Sequence, residues 1–535
     1  MKNRDLILRT TTQVGLLLFF TIALYINALS GPLFFDDIEF FENSTSLSNF
    51  SSSFNFNLRW LPYTSLGRTV DWFGPDPYWL RLGNVLIHAA NAAILFFLLR
   101  RLLNLTKPED YVSSDTFFSL SWFAFFGALL FALHPVAAYG VAYVIQRSIL
   151  MATFFVLLML LAYIEGLIRG GWHWMLTAAL CYFAAAYSKE HSISAPLVAL
   201  ALTFLIKQPL GALFKKILPF FILAIPTALA LILSSKGILG QAYEPSGLRM
   251  LNLSAKMQGL MDLENAHFLS ILTQTSLFFK YLWLWLLPNP AWMSVDMREP
   301  FATSVFSWPY APGILAFLAY PCIAVWLLMK QGKKGLLGFS LLFPWIFFLT
   351  ELSTVRIQEP FVLYRSYLWM PGLFVMLPLL LERIPSKKSF ILLSVIGLAL
   401  LPVTLNRLKT FSSPILLWDD AEKLVSNKKN VFGTERIYYN RGTFLGMSNR
   451  HTEALADLNK TIEIQPFDFA YGNRATTYYF LGKYDNALLD YDRAITLNPY
   501  NATSYYGRAI INRLLGNITA AQEDSRKACA LGLCR

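Results

Sequence analysis

The stretch TQVGLLLFFTIALYINALSGPLFFDDIEFF, residues 12–41, joins a long apolar run to two adjacent aspartates. Its first part, residues 12–29, approaches the roughly 20 apolar residues that cross a bilayer as a helix. The run follows MKNRDLILR and has no convincing small-x-small cleavage site after it, so we expect a retained first span rather than a signal peptide. Asp36 and Asp37 then lie at the mouth of a membrane segment.

The rest of the chain continues this apolar character. Of its 535 residues 55% are hydrophobic and only 15% are charged, which is too apolar for an ordinary soluble domain. We predict an all-α, polytopic membrane protein with about 11 transmembrane helices. The predicted spans lie near residues 12–29, 80–99, 117–134, 149–168, 172–187, 192–206, 216–234, 311–329, 336–350, 366–382 and 389–405.

The net charge of +12 reflects Lys and Arg residues that gather in alternate connections between these spans. By the positive-inside rule those connections face the cytoplasm, so the N-terminus is expected inside and the C-terminus outside. If the run 268–288 also crossed the membrane, the basic connections would no longer all fall on the cytoplasmic side. We therefore assign this run to an interfacial or re-entrant helix. No basic run stands alone on a soluble segment, so nucleic acid is not an expected partner.

After residue 406 three stretches align with a period of roughly 33 to 34 residues, which is the tetratricopeptide signature. The corresponding residues are Arg441, Arg474 and Arg508, then Ala454, Ala487 and Ala521, then Asp457, Asp490 and Asp524. We predict a membrane domain over 1–406, a linker and degenerate capping unit over 407–433, and an α-solenoid over 434–535. The solenoid either binds a protein partner or serves as a rigid lid or spacer.

The aspartate pair allows two interpretations. Asp36-x-x-Glu39 has the form of a helix capping box, in which Asp36 caps a short helix and Glu39 reaches back to it. Alternatively, one aspartate faces a site as a base, and the surrounding phenylalanines raise its pKa by lowering the local dielectric. Neighbouring side chains point in different directions, so we expect Asp36 and Asp37 to have different roles.

Other polar residues occur at the outer ends of the predicted spans, where a charge avoids most of the cost of burial in lipid. Arg147 and Arg365 each begin an outward-facing span and either bind a lipid phosphate or extend to the interface. His134 could simply end a span, and Lys189 could pair with Glu190. The candidate substrate-binding residues are Glu39, His134, Gln146, Arg147, Lys189, Glu190, Tyr364 and Arg365.

The four cysteines do not form a zinc pattern. Cys181 and Cys322 lie in apolar runs and are expected to be inert packing residues. Cys529 and Cys534 sit near the C-terminus, where a disulfide would form only in an oxidising compartment. The sequence leaves their pairing open, as it does any role for a divalent cation.

In their order, the motifs resemble the transmembrane-and-tetratricopeptide protein O-mannosyltransferases and their bacterial relatives. They are the aspartate pair, HP with AYVIQRS over 134–148, SKE at 188–190, YLWLWLLPNP with VD over 281–296, LYRSYLWMP over 363–371, and the repeat tail. The resemblance implies a GT-C fold and inverting transfer of a sugar from a polyprenyl-phosphate donor outside the cytoplasm. Short loops and a compact tail favour a bacterial inner membrane.

By the same resemblance an acidic residue of the first outer loop, Asp36 or Asp37, acts as the base, and Arg147, Lys189 and Arg365 stabilise the departing phosphate. The expected acceptor is a protein hydroxyl, with the repeats holding the protein or a partner. A glycolipid or cell-wall glycan acceptor, and a transporter or membrane-anchored scaffold, are the alternatives. The Arg147-Ser148 pair and the short tail depart from many relatives, so the sugar and the acceptor do not carry over.

Overall fold

The computed structural model describes residues 2–42, 57–106, 120–206, 209–237, 239–241, 266–304, 306, 308–357, 359–381, 384–428 and 431–534. Within these ranges the regular elements are helices, which confirms the predicted all-α class. The chain divides into two compact units. The first contains Met1–Val295 and Phe301–Ser412, and the second contains Asp296–Pro300 and Ser413–Arg535. The predicted boundaries at 406 and 433 stay a prediction.

The first unit is built from sixteen described helices, several joined by single 3₁₀ turns. They are α1 (Lys2–Tyr25), α2 (Asp36–Glu42), α3 (Trp60–Phe73), α4 (Pro77–Leu105), α5 (Leu120–Ala132), α6 (Pro135–Ala142), α7 (Arg147–Arg169), α8 (Trp172–Ala186), α9 (Ala195–Thr203), α10 (Leu210–Ser234), α11 (Ala266–Leu286), α12 (Tyr310–Met329), α13 (Gly332–Phe348), α14 (Pro371–Phe374), α15 (Leu377–Leu380) and α16 (Ser386–Thr410).

Seven segments among the described residues are long and apolar enough to cross a membrane. They are Ile7–Ala28, Pro77–Leu105, Val144–Arg169, Gly211–Ser234, Tyr310–Met329, Gly332–Ser353 and Ser386–Thr410. The pair Ser121–Ala132 and Pro135–Ala142 would make an eighth as one broken span, bent by 57°. The bend falls at His134-Pro135, because proline removes a helix hydrogen bond and disfavours a helical conformation in the residue before it.

These findings support a multi-pass membrane protein, whereas the count of eleven stays a prediction. Three predicted spans have a different form in the structure. The helices α8 and α9 have 15 and 9 residues, fewer than a straight crossing needs. The segment 366–382 is divided among the turn Leu363–Leu368, α14 and α15, because Pro371 and Pro378 interrupt it.

A buried polar network holds the turn Leu363–Leu368 against α4. The Tyr367 hydroxyl lies 2.6 Å from His88 Nδ1 and accepts a hydrogen bond from Asn91 Nδ2 at 3.1 Å. Asn91 Nδ2 also donates to the Leu150 carbonyl at 3.0 Å. Asn91 Oδ1 has no hydrogen-bond partner among the described residues, but the bonds at the Tyr367 hydroxyl tie the turn that also carries Arg365 to α4.

The second unit consists of stacked helix pairs, preceded by one further helix. Its helices are α17 (Pro414–Val425), α18 (Thr434–Met447), α19 (His451–Ile464), α20 (Asp468–Phe480), α21 (Tyr484–Leu497), α22 (Ala502–Leu514) and α23 (Ile518–Ala530). The pairs α18–α19, α20–α21 and α22–α23 are the three predicted repeats. Ala454, Ala487 and Ala521 are buried where these helices meet.

The corresponding arginines and aspartates of the three repeats form an ion-pair ladder. Each arginine makes a two-pronged bond to the aspartate of its own pair, with N–O distances between 2.6 and 2.9 Å. The pairs are Arg441 with Asp457, Arg474 with Asp490, and Arg508 with Asp524.

The remaining Nη1 donor of each arginine reaches back to the preceding helix. Arg474 donates to Asn459 in α19 at 2.8 Å, and Arg508 donates to Asp492 in α21 at 2.5 Å. Arg441 Nη1 lies 3.0 Å from Glu422 in α17. The helix α17 therefore takes the place that the second helix of a preceding repeat would take.

Candidate functional site

The two aspartates have opposite environments. Asp36 begins α2 and is exposed, and its backbone N–H donates to the Tyr143 hydroxyl at 3.3 Å. Asp37 is fully buried, and its carboxylate accepts hydrogen bonds from the backbone N–H groups of Val144 at 3.1 Å and Ile145 at 2.8 Å. Asp37 thus caps the 3₁₀ turn Val144–Gln146, while Asp36 remains open to solvent. The Glu39 side chain lies outside the described residues.

Burial raises the pKa of the Asp37 carboxyl to about 7, although the two backbone hydrogen bonds and Arg81 act in the opposite direction. The carboxylate form is the one that both N–H groups stabilise. Asp37 is therefore placed to position the segment that carries Tyr143, and Asp36 is the carboxylate that a substrate can reach.

Arg81 fixes the chain that leads to the aspartates. It is buried inside α4, and its guanidinium donates to the Ala142 carbonyl at 2.9 Å and to the carbonyls of Gly31 and Pro32. These bonds tie the 31–32 loop to the end of α6. No sequence motif marks Arg81, because it lies among the apolar residues of a span.

Arg147 begins α7 and is also buried, and its guanidinium is occupied by protein acceptors from α3 and α4. The acceptors are Asn84 Oδ1 at 2.9 Å, the Ser65 carbonyl at 3.1 Å, Thr69 Oγ1 at 3.0 Å and the Leu80 carbonyl at 2.6 Å. These bonds hold three helices together. A contact between Arg147 and a lipid phosphate stays a prediction.

His134 and Gln146 are buried near the same helix junction. His134 Nδ1 accepts from the Val136 N–H at 3.3 Å and so caps α6. Its Nε2 then carries the proton and donates to the Trp285 carbonyl at 3.1 Å, while the two rings stack 4.4 Å apart. The Gln146 Oε1 atom has no hydrogen-bond partner among the described residues.

Lys189 and Glu190 do not pair with each other by contact. Glu190 forms a two-pronged bond with Arg59, at 3.0 and 2.5 Å. Burial would raise the pKa of Glu190, but Arg59 and Lys189 hold it well below its usual range. Arg59 adopts φ 61°, an unusual conformation for a residue with a side chain, and no sequence motif marks it.

Arg365 belongs to a second group around Glu351. The Glu351 carboxylate accepts from Arg365 at 3.3 Å, lies 3.5 Å from Arg356 Nε, and accepts from His191 Nε2 at 2.8 Å. Arg365 also lies 3.5 Å from Glu359. Burial lowers the pKa of His191, although the hydrogen bond to Glu351 acts in the opposite direction. The turns Glu190–Ser194 and Leu349–Ser353 meet through this bond between His191 and Glu351.

Lys189 is the one member without a contacting carboxylate in the cationic cluster, which we define among the described residues as Arg59, Lys189, Arg356 and Arg365 with Glu190, Glu351 and Glu359; Glu190 acts on Lys189 electrostatically without contact. Its side chain is 5% exposed, and no acceptor among the described residues lies within hydrogen-bond distance of its ammonium. Burial, with Arg59 nearby, lowers the pKa of Lys189 to about 7. Four cations against three carboxylates leave one positive charge, which suits a bound anion.

Tyr143 connects the cationic cluster to the aspartate pair. Its ring meets the ring of Tyr364 edge-on at 5.9 Å, and Asp36, Asp37, Tyr364 and Glu359 all act on it electrostatically. Tyr364 immediately precedes Arg365. The structure thus brings the predicted residues Asp36, Asp37, Lys189, Glu190, Tyr364 and Arg365 to one continuous region, whereas His134 and Arg147 support the helices beside it.

Groups of three or more His, Cys, Asp or Glu side chains suited to a metal ion do not occur in the part of the chain that the structure describes. The question of a divalent cation therefore stays open. The chemistry that the described residues support is acid–base chemistry at Asp36 and anion binding at Lys189.

Two comparisons with known proteins bear on this arrangement. Residues 469–501 match the tetratricopeptide repeat family. The human protein named "Protein O-mannosyl-transferase TMTC2" is 26% identical over 253 residues, which cover 44% of this chain. The match spans 27% of that relative's length. The chain is therefore similar, at a distant level, to a protein that is named as an O-mannosyl-transferase, and it contains one match to the tetratricopeptide repeat family.

Proposed function

We propose that this protein is a GT-C-type membrane glycosyltransferase, which moves a sugar from a polyprenyl-phosphate donor to an acceptor hydroxyl on the extracytoplasmic face. The observation that carries this proposal is that a solvent-accessible carboxylate, Asp36, and the buried ammonium of Lys189 belong to one polar region, which is connected through Tyr143, Glu359 and Arg365. Such a pair suits a reaction that removes a proton from one group and releases an anion from another.

In the proposed reaction Asp36 takes the proton of the acceptor hydroxyl. The bond between the sugar carbon and the acceptor oxygen forms as the bond to the donor phosphate breaks, so the configuration at that carbon is inverted. The phosphate leaves with the bonding electrons, and the cations at Lys189 and Arg365 stabilise its negative charge. Asp37 and Arg81 hold the segments that present Asp36.

The acceptor proposed is a hydroxyl of a protein. The name of the distant human relative supports this choice, and so does a repeat tail able to hold a protein partner. We further propose a bacterial inner membrane, on the basis of the short loops and compact tail, and a cytoplasmic N-terminus with an extracytoplasmic tail, on the basis of the charge distribution.

The catalytic assignment is tested by Asp36→Asn in membrane vesicles supplied with a labelled polyprenyl-phosphate sugar. We expect transfer to fall about 100-fold to 10,000-fold with unchanged expression, because general-base catalysis contributes about that much. Asp71→Asn is the matched control, because Asp71 is an exposed carboxylate on α3 paired only with Arg68 in the described structure. Full transfer by Asp36→Asn would refute the role of Asp36.

Acceptor capture by the tail is tested separately by deleting residues 430–535. We expect glycosylation of whole-protein acceptors to fall while transfer to a short hydroxyl-bearing peptide supplied at high concentration persists, because the membrane unit retains the proposed site. Mass spectrometry of surface proteins would report the lost glycan mass. Undiminished protein glycosylation would argue for a glycolipid or cell-wall acceptor, with the repeats recruiting another partner.

A further inference from the structure

One repeat position of the second unit is apolar and exposed in all three helix pairs. Met447, Phe480 and Leu514 are each the last residue of the first helix in a pair. Their side chains are 74%, 58% and 56% exposed. Side chains exposed to this extent leave much of their apolar surface uncovered, and apolar surface that is contiguous on a protein marks an interaction site.

The next helix of each pair extends the same surface. It begins with His451, Tyr484 or Ile518, and Leu515 is exposed beside Ile518. Neighbouring repeats touch along this line, because the ring of His451 stacks on Phe480 at 4.9 Å and both line a cavity of about 140 Å³. We define the apolar edge as Met447, Phe480, Leu514, Leu515 and Ile518.

Basic side chains accompany the apolar edge. Lys483 and Arg513 are exposed beside it, and neither takes part in an ion pair among the described residues. Arg450 is also exposed there, but Glu453 neutralises it at 2.6 Å. Large apolar side chains combined with unpaired Lys and Arg are typical of surfaces that lie in the boundary between lipid headgroups and acyl chains.

We infer that the apolar edge binds the lipid surface of the membrane that carries the chain. The candidate span Ser386–Thr410 ends just before the second unit begins at Ser413. So short a connection keeps the repeats at a membrane surface and gives weak lipid contacts a high effective concentration. This inference does not depend on the proposed enzymatic function, and it predicts that the repeats are oriented on the bilayer.

The test uses the full chain in proteoliposomes of phosphatidylcholine and phosphatidylglycerol, with Cys181 and Cys322 replaced by alanine. A fluorescent probe is attached after Phe480→Cys or, as the matched control, after Leu489→Cys. Leu489 is 69% exposed and lies midway along α21, away from the apolar edge. We expect brominated lipid to quench the probe at 480 at least about twofold more than the probe at 489, and aqueous iodide to show the reverse order.

Equal access of iodide to both probes would overturn the inference. Protection of the probe at 480 from both quenchers would also overturn it, because a protein partner or a second copy of the chain would then cover the edge. As a second measurement, Phe480→Glu with Leu514→Glu should increase cleavage of the tail by added protease, while Leu489→Glu should not. Unchanged cleavage of the double variant, with unchanged helical content, would contradict lipid binding.

Discussion

At the scale of single residues, the neighbouring aspartates have different environments because successive side chains of a helix point about 100° apart. The fully buried Asp37 carboxylate accepts hydrogen bonds from two backbone N–H groups, whereas Asp36 is exposed to solvent. Lys189 has the complementary property of a buried cation without a contacting anion among the described residues. The proposed chemistry depends on these two exceptions, since most other charges nearby are paired.

The pH dependence of donor use should report Lys189. Its pKa is lowered to about 7, so the charged form that binds phosphate is lost as the pH rises through that value. We expect kcat/KM for the donor to fall about tenfold per pH unit above 7. Lys189→Arg should flatten this decline, because arginine stays charged, whereas Asp37, which titrates in the same range, is unchanged in that variant.

A decline of the same steepness in Lys189→Arg would assign the titration to another group, of which Asp37 is the first candidate. The measurement is initial-rate transfer across pH 6 to 9 at donor concentrations well below saturation, with the thermal stability of both proteins checked at each pH.

At the scale of elements, the arginine ladder explains why three imperfect repeats stack in register. Each arginine joins the two helices of its pair and also donates to the helix before it, so one side chain spans three helices. A planar guanidinium can hold two carboxylate oxygens and still direct a third donor elsewhere, which an ammonium cannot do. The ladder therefore depends on arginine specifically.

We expect Arg474→Lys to destabilise the tail by about 1.5 to 3 kcal/mol, because a partly buried, two-pronged bond to Asp490 is lost. Arg450→Lys is the matched control and should leave stability nearly unchanged, because its pair with Glu453 is exposed to solvent. Urea-dependent protease sensitivity of the tail in the full chain measures both. Equal effects would show that the ladder adds no more than a surface ion pair.

At the scale of the whole molecule, the distribution of lysine and arginine predicts that the tail is outside the cytoplasm. The structure pairs Cys529 with Cys534, which answers the question that the sequence left open about these two residues. Disulfides persist in oxidising compartments such as the bacterial periplasm, and cytosolic thiols are usually kept reduced. The disulfide is consistent with the proposed extracytoplasmic tail, whose position stays a prediction.

The corresponding prediction is that Cys529 and Cys534 react with a membrane-impermeant maleimide only after an impermeant reductant is added to intact inner-membrane preparations with the outer face exposed. Mass spectrometry of the C-terminal peptide would measure the labelling. Reaction of both thiols without reductant, or only after the membrane is dissolved, would contradict an extracytoplasmic tail.

Prediction from the sequence was most successful where the signal is local or periodic. The helical class, the apolar spans and the register of Arg441, Arg474 and Arg508 follow from composition and from repetition at fixed spacing. It was least successful at 366–382, where two prolines divide an apolar run that hydropathy alone treats as one span. The candidate site lies between these cases, since the motifs indicated its residues but not their partners.

The sequence by itself therefore determined the helices, the membrane character and the repeat tail, because apolar length, charge bias and period act along the chain. Only the tertiary structure decided which aspartate is exposed to solvent and that Glu190 pairs with Arg59 and not with Lys189. It also decided that the guanidinium groups of Arg81 and Arg147 donate to buried protein acceptors. Burial and pairing depend on residues far apart in the chain. No local pattern records which distant group will lie within hydrogen-bond distance.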